Sequence, residues 1–381
     1  MLDAETRAQL IDGVRRFVRQ RLVPLEARVA ETDEVPEDVV AEMRELGLFG
    51  LTIPESYGGL GLAMSEEIEV GFGLGWTSPA FRSVIGTNVG IGSQGIVMAG
   101  TDAQKRQWLP KLASGEAVAS FCLTEAEAGS DAGGLRTSAI LQGGHYLVNG
   151  TKRFITNADK ASVFTLMART DPAVKGSGGI SAFVVPRDLP GISLGKPDRK
   201  MGQQGAHICD VIFDNVRVPA DCLLGEEGHG FKLAMRVLDR GRLHIASVCV
   251  GVAERLISEC VAYARERKQF GKPLGDFQLI QAMLADSKTE AYAARCMVID
   301  AAAKRDQRGS VTLEASAAKY FASEMVGRVA DRAVQIFGGS GYVADHGIER
   351  FYRDVRIFRI YEGTSQIQQI VIARAMLEGH D

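Results

Sequence analysis

Apolar residues recur every 3.6 positions along residues 1 to about 115, every second position from 116 to about 227, and every 3.6 positions again from 228 to 381. That alternation predicts an α+β protein with an N-terminal α-helical domain (1–115), a middle β-barrel or β-sandwich domain (116–227) and a C-terminal four-helix bundle (228–381). Two further observations support it. The last zone holds four helical patterns joined by short connections, as a bundle requires. No repeat, low-complexity stretch or Pro/Ser-rich linker divides the zones, so all three should pack together.

The elements follow in order. Leu10, Val14, Phe17 and Val18 form the stripe of an amphipathic first helix. Pro36 starts and Gly47 stops a second, and "PESYGGLGL" is a Gly-rich turn. The apolar, Gly-punctuated stretch 79–99 predicts a buried helix. In the middle zone "HYLVNGTKRFIT" predicts a hairpin turning at Asn149-Gly150, with "VFTLMART", "ISAFVVP" and "CDVIFDNVRVP" as further strands. In the last zone a very long helix from "GFKLAMRV" ends at Gly271, and a second begins at an Asp276 cap. A third is stopped by "GGSG", and the last begins at Thr364 with Ile367, Ile370 and Val371 facing inward.

With 46% hydrophobic and 24% charged residues and a net charge of −3, the chain has the composition of a soluble globular protein. Nothing in that balance points to nucleic acid or an anionic membrane as a partner. No apolar run approaches ~20 residues, so no membrane span is expected. The charged first helix does not read as a secretory signal. The six cysteines form no C-x-x-C pair and no zinc-ligand spacing, which predicts reduced thiols, no metal and a cytoplasmic protein.

Five segments carry the chemistry. "CLTEAEAGSDAGG" (122–134) is a small-residue loop whose backbone amides suit a phosphate or a ring edge. There is no P-loop, and the Gly-rich pieces follow no strand of a parallel βαβ unit, so a Rossmann reading fails. "KRFITN" is a strand. "ERKQFGKPL" sets Arg267 and Lys268 beside Phe270 at a helix end, suited to satisfying carbonyls or to clamping a pyrophosphate. "VQIFGGSGY" ends a helix where another backbone has room to approach. "YEGTSQIQ" sets Glu362 at a helix start, as a dipole-complementing acid or as a buried base.

In this order the five segments resemble the acyl-CoA dehydrogenase family, and the resemblance covers essentially the whole chain. It implies a flavoprotein of the three-domain fold, with FAD extended between the β domain and the bundle and reaching a neighbouring subunit. It further implies a homotetramer built as a dimer of dimers, an acyl-CoA substrate from fatty-acid β-oxidation, and an electron-transfer flavoprotein as acceptor. The implied reaction yields a trans-2-enoyl-CoA, with the α-proton taken by a base and a hydride passed to N5 of FAD.

Residue by residue, the resemblance makes Glu362 the base, with Gly363 turning the chain beside it and Tyr361 lining the acyl pocket. For FAD it implies Leu123, Thr124, Gly129 and Ser130 in the loop, and Phe154 and Thr156 on the strand. Phe154 stands where tryptophan is common. From a partner subunit come Arg267, Phe270, Gln335 and Gly339, and beside the base Thr364 and Gln366. Along the thioester and CoA path lie Ser130, Phe231, Asp239 and Arg242, the last two on "DRGRLHIA".

Arg82 is unusual in so apolar a stretch, because a buried guanidinium needs a carboxylate or several carbonyls. "FRS" resembles the "YRS" of the glutaryl-CoA dehydrogenase branch, whose arginine receives a distal carboxylate. Phe81 replaces the tyrosine, and Gly86 replaces a serine that helps there. Short or dicarboxylic acyl groups are therefore the expected substrates. The alternatives on this scaffold are an acyl-CoA oxidase using dioxygen and a glutaryl-CoA-type oxidative decarboxylation. Glu362 in its motif argues against a monooxygenase, a nitroalkane-type oxidase or a non-catalytic scaffold.

Overall fold

The computed structural model of the chain describes residues 3–309 and 311–379. Helices come first: α1 (Ala4–Phe17), α2 (Glu26–Thr32), α3 (Glu37–Glu45), α4 (Met64–Leu74), α5 (Pro79–Val89), α6 (Gln94–Ala99) and α7 (Asp102–Ser114). Val14, Phe17 and Val18 are buried as the stripe predicts. The single helix expected over 79–99 is two, α5 and α6. The chain breaks at Gly90 and folds Gly92 so close to Ala119 that a Cβ there would lie 2.7 Å from its carbonyl oxygen.

The middle zone is one eight-stranded sheet: β1 (Ala119–Cys122), β2 (Ser138–Gln142), β3 (His145–Thr156), β4 (Val163–Arg169), β5 (Ile180–Pro186), β6 (Ile192–Leu194), β7 (Ile208–Pro219) and β8 (Leu223–Leu224). The order is β6-β7-β3-β2-β4-β5-β8, with β1 parallel to β4. β2 and β4 meet only at Ser138 and Arg169, so the sheet folds there and its halves close over one core. Tyr146 meets Phe183 edge-on at 4.8 Å across that core, and Phe164 meets Phe213 at 6.3 Å. β4 is buried along nearly its whole length, because Phe164 and Leu166 face this core while Val163 and Met167 face another shared with the helices.

The hairpin expected at Asn149-Gly150 is not one. Residues 145–156 form a single strand along β7, with register shifts after Val148 and after Lys152. Gly150 sits at φ 151 with Thr137 pressed against it, where a Cβ would come 2.5 Å from Oγ1. The β2–β3 turn falls instead at Gly143-Gly144, both in left-handed conformation.

The C-terminal helices are α8 (Gly230–Glu266), α9 (Gln278–Arg308), α10 (Thr312–Phe337), the short α11 (Gly339–Tyr342) and α12 (Ile348–Asp354), and α13 (Ser365–Leu377). α8 ends at Glu266, short of Gly271, because residues 268–273 turn back as the small hairpin β9 (Lys268–Gln269) and β10 (Lys272–Pro273) with Gly271 at its tip. Asp276 does not cap α9; its N-cap is Phe277, with no side-chain cap bond. Thr364 does cap α13, its Oγ1 accepting from the Ile367 N–H at 3.2 Å. Ile370 is 46% exposed, and the residue of α13 turned fully inward is Gln368. α4 crosses α8 at glycines: a Cβ on Gly75 would lie 2.4 Å from the Val248 oxygen, and one on Gly251 2.3 Å from the Phe72 oxygen. This close crossing lays the polar residues of α4 against the first half of α8.

Candidate active site

Glu362 lies in the turn before α13, at φ 53, and Gly363 follows at φ 89. A non-glycine residue in this region carries about 1–2 kcal/mol of strain, so something must hold it. Gln368 Nε2 donates to the carbonyls of Glu362 (3.1 Å) and Gly363 (3.0 Å), and Lys319 Nζ donates to Gly363 O at 2.7 Å. The side chain reaches α8 at Gly241, where a Cβ would stand 2.2 Å from Oε2. Although the residue as a whole is only partly covered, Oε2 is buried with no hydrogen-bond partner among the described residues. Burial raises the Glu362 pKa against the opposing pull of the Arg82, Lys319 and Arg242 cations. A carboxyl with a bare, buried oxygen and a raised pKa has the properties of a general base. The Glu362 backbone N–H also donates to no protein acceptor among the described residues.

Lys319 is wholly buried on α10, and burial pulls its pKa down to about 8. Arg242 is ion-paired with Asp239 at 2.6 Å, both buried, and Thr312 donates to the other Asp239 oxygen at 2.8 Å. The CoA-path expectation for these two therefore meets a closed pair rather than a surface one.

Arg82, on α5, is 8% exposed and finds neither a carboxylate nor carbonyls. Its Nε donates to His244 Nε2 at 2.9 Å, and His244 Nδ1 meets Glu67 Oε1 at 2.9 Å. Since the arginine Nε is only a donor, His244 is neutral with its proton on Nδ1. Burial, followed by the Arg82 cation, lowers its pKa in agreement. Glu67 is ion-paired in turn with Arg240 at 2.5 Å. Burial alone would raise the Glu67 pKa, but Arg240 and His244 together hold it low.

The loop and strand residues expected to meet the flavin are brought side by side. Arg153 N–H donates to Thr124 O at 2.8 Å, and Ser120 Oγ to Thr156 O at 2.7 Å. Beneath them Lys152, wholly buried, donates to Leu123 O (3.0 Å) and Glu125 Oε1 (2.8 Å). Glu125 also accepts from the Arg136 and Thr137 N–H groups. Phe154 sits at the second register shift, at φ 58 and 51% exposed. Asn157, just beyond, donates to Ser83 O and Thr87 Oγ1, docking this strand on the helix of Arg82. Gly129 and Ser130 lie exposed in the loop, and Phe231, in the first turn of α8, packs beneath it with Ala128 and Leu135.

Arg267, Phe270, Gln335 and Gly339 collect elsewhere, at the far end of the bundle, where Tyr263 stacks on Phe337 at 4.1 Å. Phe270 is 93% exposed at φ 52. From Gly241 to Arg267 the helix runs about 39 Å at its usual rise. This group is therefore remote from the Glu362 cluster of its own chain. Thr364 and Gln366 remain beside the base, Gln366 exposed.

Sequence reasoning missed Lys319, Gln368, His244, Glu67 and Lys152. The polar side chains at Lys319 and Gln368 stand within apolar helical faces, which is the one sequence signal they gave.

Three family models match the chain: the acyl-CoA dehydrogenase N-terminal domain over residues 4–116, the middle domain over 120–216 and the C-terminal domain over 228–377. A relative named "probable acyl-CoA dehydrogenase" in Bacillus subtilis is 43% identical over 370 residues, 96% of each chain. The caffeyl-CoA reductase-Etf complex subunit of Acetobacterium woodii is 41% identical over 357 residues, 92% of each chain. Among solved structures, butyryl-CoA dehydrogenase from Megasphaera elsdenii superposes with a TM-score of 0.94 at 36% identity, covering 99% of both chains. A glutaryl-CoA dehydrogenase in complex with glutaryl-CoA gives 0.94 at 36%, covering 99% and 96%. An acyl-CoA dehydrogenase from Bacillus anthracis complexed with FAD gives 0.91 at 33%, covering all of this chain and 68% of that one.

Proposed function

Because the chain belongs to the acyl-CoA dehydrogenase family, we propose that it oxidises the Cα–Cβ bond of an acyl-CoA thioester with Glu362 as the α-proton base. It is an oxidoreductase acting on CH–CH donors, and its cofactor is FAD. The residues present fit that cofactor: Phe154 and Phe270 are strained, exposed aromatic rings, a combination that is costly unless something covers them. Bound FAD supplies the acceptor for the β-hydride. Leu123, Thr124, Phe154 and Thr156 hold its ring. Arg267, Phe270, Gln335 and Gly339 serve the FAD of a neighbouring copy in a homotetramer built as a dimer of dimers.

The observation that carries the reading is the bare, buried Oε2 of Glu362. A proton delivered there from the substrate relieves the desolvation cost of the charge. The free Glu362 N–H is placed to donate to the thioester carbonyl as the enolate charge develops, a contact typically worth roughly 3 to 4 kcal/mol. Gly363 and Tyr361 shape the turn and the acyl wall, while Asp239 and Arg242 form a rigid pair on the CoA side.

For substrate class, Arg82 supports short acyl groups ending in an acid, since it is a buried cation with no carboxylate in ion-pair range among the described residues. An electron-transfer flavoprotein is the proposed acceptor, and the Etf-complex relative supports it. Cytoplasmic β-oxidation is the proposed setting on the family resemblance alone, and 1–115, 116–227 and 228–381 are the proposed domains. No described helix is long and apolar enough to cross a membrane.

Anaerobic titration of the yellow holoenzyme with a panel of acyl-CoAs tests the function. Substrates should bleach the flavin. Glu362→Gln should retain FAD and bind acyl-CoA, yet bleach at least ~100-fold more slowly. Bleaching at the wild-type rate would place the base elsewhere.

A further inference from the structure

The cluster around Arg82 contains more than a cation. Glu67 is the acid hydrogen-bonded into this network, and both its oxygens are engaged, Oε1 by His244 and Oε2 by Arg240. His244 stands between Glu67 and Arg82 as a neutral spacer. It gives the guanidinium an acceptor at Nε without giving it a counter-charge. Had Glu67 met Arg82 directly, the pair would have closed on itself, as Asp239 and Arg242 do.

The remaining guanidinium nitrogens have no hydrogen bond or ion pair among the described residues. Gly86, one turn along α5, lets the group lie flat against the helix: a Cβ there would come 2.9 Å from Nη1 and 3.0 Å from Cζ. The serine of the glutaryl-CoA dehydrogenase branch could not stand there with Arg82 in this position. His244 is itself anchored, because the glycine-lined crossing of α4 on α8 sets Glu67 against it. Arg82 is thus held at one nitrogen, and it lies close enough to Glu362 and Tyr361 for its charge to pull the pKa of both downward.

We propose that His244, braced by Glu67, is a specificity-determining positioning residue that keeps Arg82 un-neutralised and aimed to receive a carboxylate at the far end of the acyl chain. This rests on the reading of Arg82 as the group that recognises an acid-ended substrate. A guanidinium fixed at Nε offers its two outer nitrogens as a pair, the geometry that a carboxylate meets bidentately. Here the brace takes the place of the missing serine. An amide of similar reach could stand in for the imidazole, accepting from Arg82 and donating to Glu67, whereas an aromatic hydrocarbon of similar shape could not.

The test uses FAD-loaded enzyme and two five-carbon thioesters, glutaryl-CoA and pentanoyl-CoA. KM and kcat are measured for wild type, Arg82→Met, His244→Phe and His244→Gln. His244→Asn, shorter but polar, is the second loss-of-contact variant if the phenylalanine prevents folding. Wild type should favour glutaryl-CoA in kcat/KM, and Arg82→Met should abolish that preference. His244→Phe or His244→Asn should lower the preference at least tenfold, chiefly by raising KM for glutaryl-CoA, and His244→Gln should restore most of it. If wild type shows no preference, or Arg82→Met keeps it, the acid-ended reading fails and this proposal falls with it. If Arg82→Met loses the preference while His244→Phe and His244→Asn keep it, the reading of Arg82 stands and the role of His244 is overturned. A preference lost equally in His244→Gln would also overturn the brace.

Discussion

Lys152→Met should loosen the loop proposed to hold the flavin, and the size of the effect can be worked from the structure. Lys152 is wholly buried, and its ammonium bridges Leu123 O at 3.0 Å and Glu125 Oε1 at 2.8 Å. Removing one partner of a buried pair typically costs 3–5 kcal/mol, because the other charge is left uncompensated. Glu125 is partly covered and keeps two backbone donors, Arg136 N–H at 2.7 Å and Thr137 N–H at 2.9 Å, so the lower end applies, about 3 kcal/mol. If the whole cost falls on the loop that carries Leu123 and Thr124, FAD affinity drops about 100-fold. If it falls on the fold, the melting temperature of this 381-residue chain drops roughly 4 °C. Equilibrium FAD release, followed by flavin fluorescence, and a thermal melt of the apoprotein separate the two shares. Adding Glu125→Gln should recover about 1 kcal/mol, since the stranded charge is gone while the amide oxygen still accepts a backbone donor. A single variant that melts within 2 °C of wild type with unchanged FAD affinity refutes the reasoning, as does a double variant weaker than the single one.

Other consequences concern the base. Gly241→Ala should melt no lower than wild type, since alanine is the better helix former by about 1 kcal/mol. It should nevertheless reduce flavin roughly 10- to 100-fold more slowly in stopped flow, because a Cβ 2.2 Å from Oε2 displaces the carboxylate by about 1 Å. Lys319→Met removes a cation that lowers the Glu362 pKa, so the acid limb of the kcat–pH profile should move to higher pH; an unmoved limb would count against it. The same variant has a stability signature. The Lys319 pKa is pulled from 10.5 down to about 8, so the folded chain binds that proton less well than the unfolded one. The penalty is fully present below pH 8 and fades toward 10.5, and the methionine variant should lack that relative gain.

Periodicity was enough to read the α–β–α order, because each zone buries one face at its own period. It failed where a distant partner sets the local geometry. Asn149-Gly150 has the composition of a turn, yet Gly150 is a strand residue because Thr137 presses against it. Ile370 matched the apolar period of α13, yet Gln368 turns inward because two strained carbonyls need a donor. The burial of Arg82 was legible from its apolar neighbours, but its imidazole partner lies 162 positions away. Glu362 and the segments proposed to meet the flavin could be named from the sequence because their motifs are local in it. Lys319 showed only as a cation within an apolar face, and Lys152 acts on a backbone carbonyl and a carboxylate 27 positions away, neither of which marks it in the sequence.

Of the seven described non-glycine residues with positive φ, three are aspartate or asparagine, which tolerate that conformation, and a fourth is Gln203. The other three are Phe154, Phe270 and Glu362. At each, a glycine would relieve the backbone and favour the isolated chain. A laboratory evolution campaign that scores heat resistance alone should therefore drift first at these positions and deliver robust, inactive protein. A library meant to keep turnover should hold all three constant and draw its stability from elsewhere.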